Sequence, residues 1–229
     1  EKAEYEYSYN YQTWYPSAEY ETNNTVKNVG LFDLTPFSKF EIKSDKAHQE
    51  LQKICTANIK NEPGKCVYTH MLNPDGGIET DLTVVCIDKN HFRIISSAAT
   101  RERDKFHINK HLSKNVELKD ITDDLCVFGL FGPKSRDLLK TLSEDNFEND
   151  QFKFGFAKFI TIDGVKIWTQ RLSYVGELGY ELYVDLKDAK KIYELLIEKG
   201  KDFNLSNCGM HAMDIMRMES GFLHWGHDI

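Results

Sequence analysis

The feature that most constrains this chain is a hairpin signature in its second half. Residues 156–162 and 165–172 are apolar, strand-forming runs separated only by Asp163-Gly164. A two-residue Asp-Gly loop takes positive φ and turns a strand straight back on its neighbour, so these runs must pair antiparallel. Similar signals recur upstream. Residues 66–72 read as a strand that ends at Asn73-Pro74-Asp75-Gly76-Gly77, where Pro fixes φ and Gly supplies positive φ. Residues 82–87 and 92–95 read as a hairpin around Asp88-Lys89-Asn90. Further strands are expected at 37–42, 116–121, 125–131 and 180–184.

Helical signals fall between these strands. Ser44 reads as an N-cap, with Ala47, Leu51 and Ile54 on one helix face. A helix is expected from Thr100 to about Leu112, and another opening at Gly132-Pro133 with Pro at its first position. Two more are expected at about 187–200 and 209–220, and residues 143–150 read as a polar linker. Hairpins join many strands and crossover helices few. The expectation is therefore an α+β fold with mostly antiparallel sheets, not a doubly wound parallel sheet. Near the start, Tyr5, Tyr7, Tyr9, Tyr11, Trp14 and Tyr15 make an alternating aromatic pattern within residues 1–28. It reads as an extended arm lying on a core, or as the remnant of a larger protein.

Composition narrows the function classes. With 41% hydrophobic and 28% charged residues, the chain reads as an ordinary globular protein with one or two domains. A net charge of −7, with Lys and Arg scattered among Asp and Glu, argues against a nucleic-acid partner. An anionic ligand would have to be met by local groups. No apolar run approaches the roughly 18 residues of a membrane span, so no membrane partner is expected. The five cysteines are odd in number, widely spaced and without a C-x-x-C, which reads as reduced thiols and a cytoplasmic setting. The chain opens at Glu1 without an initiator Met or signal-peptide pattern, which reads as a processed or truncated product.

Three stretches can carry chemistry. In the first, Gly76-Gly77 is followed by Asp81 among Thr80, Leu82, Thr83 and Val84. A half-buried carboxylate there can hold a cationic ligand or move a proton, and the competing reading is a solvated turn residue. The second is Arg171 to Leu182, where Gly176 and Gly179 interrupt the strand and Glu177 and Glu181 lie near Tyr174 and Tyr180. A carboxylate beside an aromatic suits a flat ring with N–H donors, because it accepts two parallel hydrogen bonds. The competing reading is a bulged strand with exposed acids. The third is Cys208 to Gly221, whose methionines at helical spacing read as core filling. His224 and His227 lack a third ligand, so no metal is expected. Phosphate-binding loops, dinucleotide fingerprints, nucleophile elbows and zincin motifs are absent from the sequence, so no flavin site is expected in this chain.

Together these segments resemble a known series in order and spacing. The residues are Val29 to Ser38, Gly76 to Leu82, Phe128 to Pro133, Tyr174 to Glu181, and Arg217-Met218-Glu219 leading to Trp225-Gly226-His227-Asp228-Ile229. The series resembles the glycine-cleavage T-protein (aminomethyltransferase) family, over roughly residues 25–229. The wording FDLTPFSKF, SYVGELGYELY and HWGHDI is most similar to the folate-binding C-terminal part of dimethylglycine and sarcosine dehydrogenases.

The resemblance implies a T-protein-like fold. Its first domain would be discontinuous, residues 1–54 plus 149–229, with a second α+β domain inserted at 55–148. A C-terminal barrel would begin where this chain stops, and a flavin-binding oxidase part would lie upstream. The implied activity is tetrahydrofolate-dependent transfer of a one-carbon unit, aminomethyl or iminium, from an N-methylated amine such as dimethylglycine or sarcosine. The implied partners are folate, the methylated amine and a flavoprotein oxidase domain or chain. Asp81 matches the carboxylate near the reactive nitrogens of folate, and Glu181 the acid that grips the pterin. Tyr174 would lie beside the pterin, with Phe37 and Ile95 (through its backbone) lining the slot. Three positions depart from the T-proteins proper: Thr80 before Asp81, Met213 in place of an Arg, and Ser97 in place of an Asn. Two other readings remain open. One is a folate-dependent demethylase of another methylated osmolyte. The other is a non-catalytic folate-binding or iron–sulfur-maintenance protein, whose Lys-Gly-Cys-Tyr motif Gly64-Lys65-Cys66-Val67-Tyr68 resembles only superficially.

Overall fold

The computed structural model describes residue 6 and residues 8–229. In chain order the main elements are α1 (Tyr15–Lys27), β1 (Val29–Asp33), β2 (Ser38–Lys43), α2 (Ala47–Ile54), β3 (Cys66–Leu72), β4 (Ile78–Asp88) and β5 (His91–Ser96). They continue with α3 (Arg101–His111), β6 (Leu118–Asp120), β7 (Leu125–Phe131), α4 (Ser135–Leu142), β8 (Ala157–Ile162) and β9 (Val165–Gln170). The last are β10 (Gly179–Asp185), α5 (Leu186–Gly200), β11 (Leu205–Cys208) and α6 (Met210–Glu219).

The strands form two sheets. One is six-stranded in the order β11-β1-β7-β10-β9-β8, and the other five-stranded in the order β3-β4-β5-β2-β6. The β1–β11 pair is parallel and the other pairings are antiparallel, so the expected α+β class with mostly antiparallel sheets holds. Strand alternation gives each sheet two apolar faces. Leu130, Ile167, Tyr180 and Leu182 pack outward from the first sheet against Leu138 and Leu139 of α4 and Ile192 and Leu196 of α5. Phe40, Leu82, Val84 and Ile94 pack outward from the second against Ala47 and Leu51 of α2 and Ile108 of α3. Between the sheets lies a third cluster, with Phe32, Val127, Phe131, Trp168 and Tyr183 from one side, Cys66 and Val85 from the other, and Met213 and Met216 of α6. The result is a helix–sheet–sheet–helix stack. β2 pairs within the second sheet, and β7 within the first.

The Asp163-Gly164 hairpin forms as read, with φ of 46° and 78°. Lys191 of α5 ties its tip down through Asp163 Oδ2, at 2.8 Å. Four expectations are corrected. The start of the chain is not an extended arm throughout, because residues 15–27 are helical, with Pro16 in the first turn. Tyr9 and Tyr11 are exposed, and Tyr5 and Tyr7 lie outside the described residues. Ser44 is not the N-cap: α2 begins at Ala47, and the Ser44 hydroxyl accepts from the Lys46 N–H in the turn before it. Pro133 precedes α4 instead of opening it, because Gly132 to Ser135 first makes a turn. Residues 143–150 are polar but anchored, since Phe147 is fully buried under the first sheet.

Candidate functional site

Alternation decides which side chains enter the space between the sheets. On β10, Tyr180, Leu182 and Val184 join the outer core while Tyr183 joins the inter-sheet cluster. Glu181 shares the Tyr183 face. On β4, Leu82, Val84 and Cys86 point outward and Val85 inward, so Asp81 and Thr83 share the inner face. The same rule puts Arg93 and Ile95 of β5 inward.

Asp81 stands opposite His70 on β3, and Tyr68 sits diagonally across. The Tyr68 hydroxyl donates to Asp81 Oδ2 at 2.9 Å. Burial, and after it the Asp81 charge, pushes the Tyr68 phenol above its ordinary range, so it stays a donor. Tyr174 lies near enough for the Asp81 charge to reach it: its phenol is pushed up by burial first, with Asp81 adding and Arg217 opposing. The Tyr174 ring stacks on Phe222 with centroids 5.9 Å apart, and its hydroxyl donates to the Leu223 carbonyl at 3.0 Å. Gly176 permits this loop. Its φ is +75°, and a Cβ there would lie 2.0 Å from the Ser220 hydroxyl at the end of α6. Phe37 and Ile95 are partly buried against the same inter-sheet cluster as Tyr174.

Glu181 stands opposite Gln170 on β9 and Gly129 on β7. Burial pushes its carboxyl up to about 7, against the opposing effect of Tyr183, whose hydroxyl donates to Oε2 at 2.8 Å. Arg93 lies over the Tyr183 ring at 5.6 Å and bonds Glu41 through Nε and Nη2 at 3.0 and 2.8 Å. Burial raises the Glu41 carboxyl, but His91 and Arg93 outweigh it and hold the group at about 2. Lys39, wholly buried on β2, donates to the Thr35 carbonyl at 2.8 Å, and burial lowers its amine to about 8. Three buried donors here have no partner among the described residues: Gln170 Nε2, Trp168 Nε1 and Arg93 Nη1. Buried donors are almost always satisfied in folded proteins, so each of these three is able to donate to a further group.

The structure thus brings Phe37, Ile95 and Tyr174 onto one cluster, with Asp81 and Glu181 on the inner faces of the two sheets. Tyr180 is not among them, because it faces the outer core and is fully buried there. Tyr68, Tyr183, Gln170 and Arg93 join the site without having been singled out. Tyr183 was readable, two residues past Glu181 on the same strand face. Met213 and Met216 are core filling between the sheets. Arg217 is buried and committed to Asp214, Asp228 and the Phe222 carbonyl. His224 and His227 touch ring to ring at 4.2 Å, and among the described residues no three metal-ligating side chains gather. Two clefts, of about 440 and 380 Å³, are lined by other residues, including Arg101 and Asp123 in one and Tyr193 and Asn207 in the other. In the larger one Arg101 is already bonded to Asp120 and Asp123.

The model of the GCVT N-terminal domain matches residues 1–229. The chain belongs to the glycine-cleavage T-protein family. Its fold agrees: the aminomethyltransferase T of the glycine cleavage system from Bartonella henselae superposes with a TM-score of 0.82 over 99% of this chain and 61% of that one, at 21% identity. The 4-methylaminobutanoate oxidase (formaldehyde-forming) of Paenarthrobacter nicotinovorans is 35% identical over 98% of this chain. The mitochondrial dimethylglycine dehydrogenase of Rattus norvegicus is 32% identical over 99%. This T-protein-family chain spans 27% of the length of each of these two relatives. The mitochondrial dimethylglycine dehydrogenases also correct the expectation of a cytoplasmic setting, which rested on unpaired cysteines alone.

Proposed function

We propose that this chain is a tetrahydrofolate-binding module that transfers a one-carbon unit from an N-methylated amine such as dimethylglycine or sarcosine. The observation that carries the reading is the pair of unlike carboxylates in one inter-sheet space. Asp81 accepts from Tyr68 beside the exposed rim, while Glu181 is half-buried on β10 with its carboxyl pushed up to about 7. The family membership and the methylated-amine names of the relatives support it.

The residues suit a reduced pterin. A flat ring with N–H donors would turn Glu181 into a carboxylate accepting two parallel bonds. Its acceptors would meet the orphan donors Trp168 Nε1 and Arg93 Nη1. Phe37, Ile95 and Tyr174 would cover the faces. Tetrahydrofolate supplies N5 and N10 as acceptors for the carbon, yielding 5,10-methylenetetrahydrofolate. Asp81, held by the Tyr68 hydroxyl, would stabilise the positive charge of the incoming iminium and take up the proton of the first attacking nitrogen; the second nitrogen would then displace the demethylated amine, which would leave carrying that proton. A flavoprotein oxidase domain or chain would supply the oxidised donor. Another methylated osmolyte as donor, or folate binding without catalysis, are the alternatives.

Formaldehyde and sarcosine condense in water to the required iminium, which gives a direct assay. The chain should accelerate formation of 5,10-methylenetetrahydrofolate over the uncatalysed background. Asp81→Asn should lose about 10²-fold of that acceleration while still binding folate. Binding without acceleration by the unaltered chain would favour the non-catalytic alternative.

A further inference from the structure

Gln170 is fully buried at the end of β9, yet its Nε2 has no partner among the described residues. It stands directly opposite Glu181 on β10. Directly opposed cross-strand residues carry Cβ atoms about 4.5–5.5 Å apart, so the two side chains can reach one edge of a single ring. They are not bonded to each other, since Nε2 has no partner. Gln170 Oε1 lies 3.9 Å from the Cys66 thiol of β3, which is nearer the Gly64 carbonyl at 3.7 Å, and the NH₂ is the unbonded end of the amide. Trp168 Nε1 and Arg93 Nη1 are also orphans, but Trp168 stands opposite Tyr183 and Arg93 is held on Glu41. Of the three, only Gln170 stands directly opposite the carboxylate.

We infer that Gln170 is a specificity residue that donates to the ring carbonyl of a 2-amino-4-oxo heterocycle whose neighbouring N–H groups Glu181 accepts. This rests on the folate reading of the site. Along that ring edge the order is 2-amino donor, N3–H donor, then C4 carbonyl acceptor. A carboxylate satisfies the first two, and an adjacent donor is needed for the third. The carboxylate responds to a 4-amino ring only at N3, which loses its hydrogen there and becomes an acceptor, and it does not reach the third position. The Gln170 NH₂ adds discrimination at the third position, because two donors would face each other there without water.

The test is titration of the 229-residue chain with tetrahydrofolate and with its 4-amino-4-deoxy analogue, followed by intrinsic fluorescence. Gln170→Ala should weaken the 4-oxo ligand roughly tenfold and leave the 4-amino ligand within about twofold. Gln170→Glu, which replaces the donor by an acceptor, should shift the preference further toward the 4-amino ring. Gln170→Met keeps the volume and serves if the Ala variant melts early. Equal weakening of both ligands, or no change in their ratio, would show that Gln170 only packs, and would overturn the inference. If Glu181→Ala still weakens both ligands in that case, the folate reading survives. Failure of the unaltered folded chain to bind either ligand would overturn both.

Discussion

Glu181 and Glu41 lie in the same inter-sheet space and are driven opposite ways. Glu181 is desolvated with one neutral donor, Tyr183, so its folded value sits near 7, above the ordinary 4.5. Between those values the native state holds more protons than the unfolded chain, so the contribution of this group to stability falls as pH rises through the window and is lost above 7. Glu181→Gln should therefore be on the order of 2 kcal/mol more stable than the parent at pH 8 and nearly equal to it at pH 4, by urea unfolding. A difference independent of pH would show that Glu181 is not desolvated. Glu41, held at about 2 by His91 and Arg93, contributes stability that is present above 4.5 and lost as pH falls toward 2. Glu41→Ala strands the Arg93 guanidinium and should cost ~2–3 kcal/mol near neutrality, less at pH 3. Legibility at this scale depended on face. Glu181 is identifiable from its motif, but Tyr180, its neighbour in sequence, is sent to the other side by strand parity. Gln170 could not be found, because its importance arises only from the register of β9 against β10.

The elements that are written locally appeared where expected. The Asp163-Gly164 hairpin and the Asn73–Gly77 turn carry their own φ requirements, and Asn73 Oδ1 caps its turn by accepting from Asp75 and Gly77. What was missed depends on distant partners. β11 is Leu-Ser-Asn-Cys, without strand periodicity, and exists by pairing in parallel with β1. The tyrosine alternation near the start suggested an extended segment, but helix α1 is held by packing on α6, β1 and β11. The loop between β9 and β10 shows how an element carries a site residue. Gly176→Ala meets both a left-handed φ and the Ser220 side chain, and should cost ~2 kcal/mol or more, with weaker folate binding as Tyr174 is displaced. Adding Ser220→Gly should recover part of the stability, leaving ~1 kcal/mol of backbone strain. Strict additivity of the two changes in thermal unfolding would show that the contact does not govern the loop.

At the scale of the molecule, two sheets packed face to face explain why polar groups are buried where an ordinary sandwich would be apolar. The outer faces carry the cores with the helices, and the inner faces carry Lys39, Arg93 and Gln170, which are buried, and Glu41 and Glu181, which are half-buried. The order of motifs in the sequence already pointed to the family and the α+β class. It did not show which strands lie in which sheet, because β2 and β7 each pair away from their sequence neighbours. The central claim is that this inter-sheet space binds a reduced folate through Glu181. Calorimetric titration of the chain with tetrahydrofolate, beside Glu181→Ala and Asp81→Ala, tests it most directly. Saturable binding, weakened at least tenfold by Glu181→Ala and much less by Asp81→Ala, is the predicted result. No binding by the folded chain, or binding indifferent to Glu181, would contradict it.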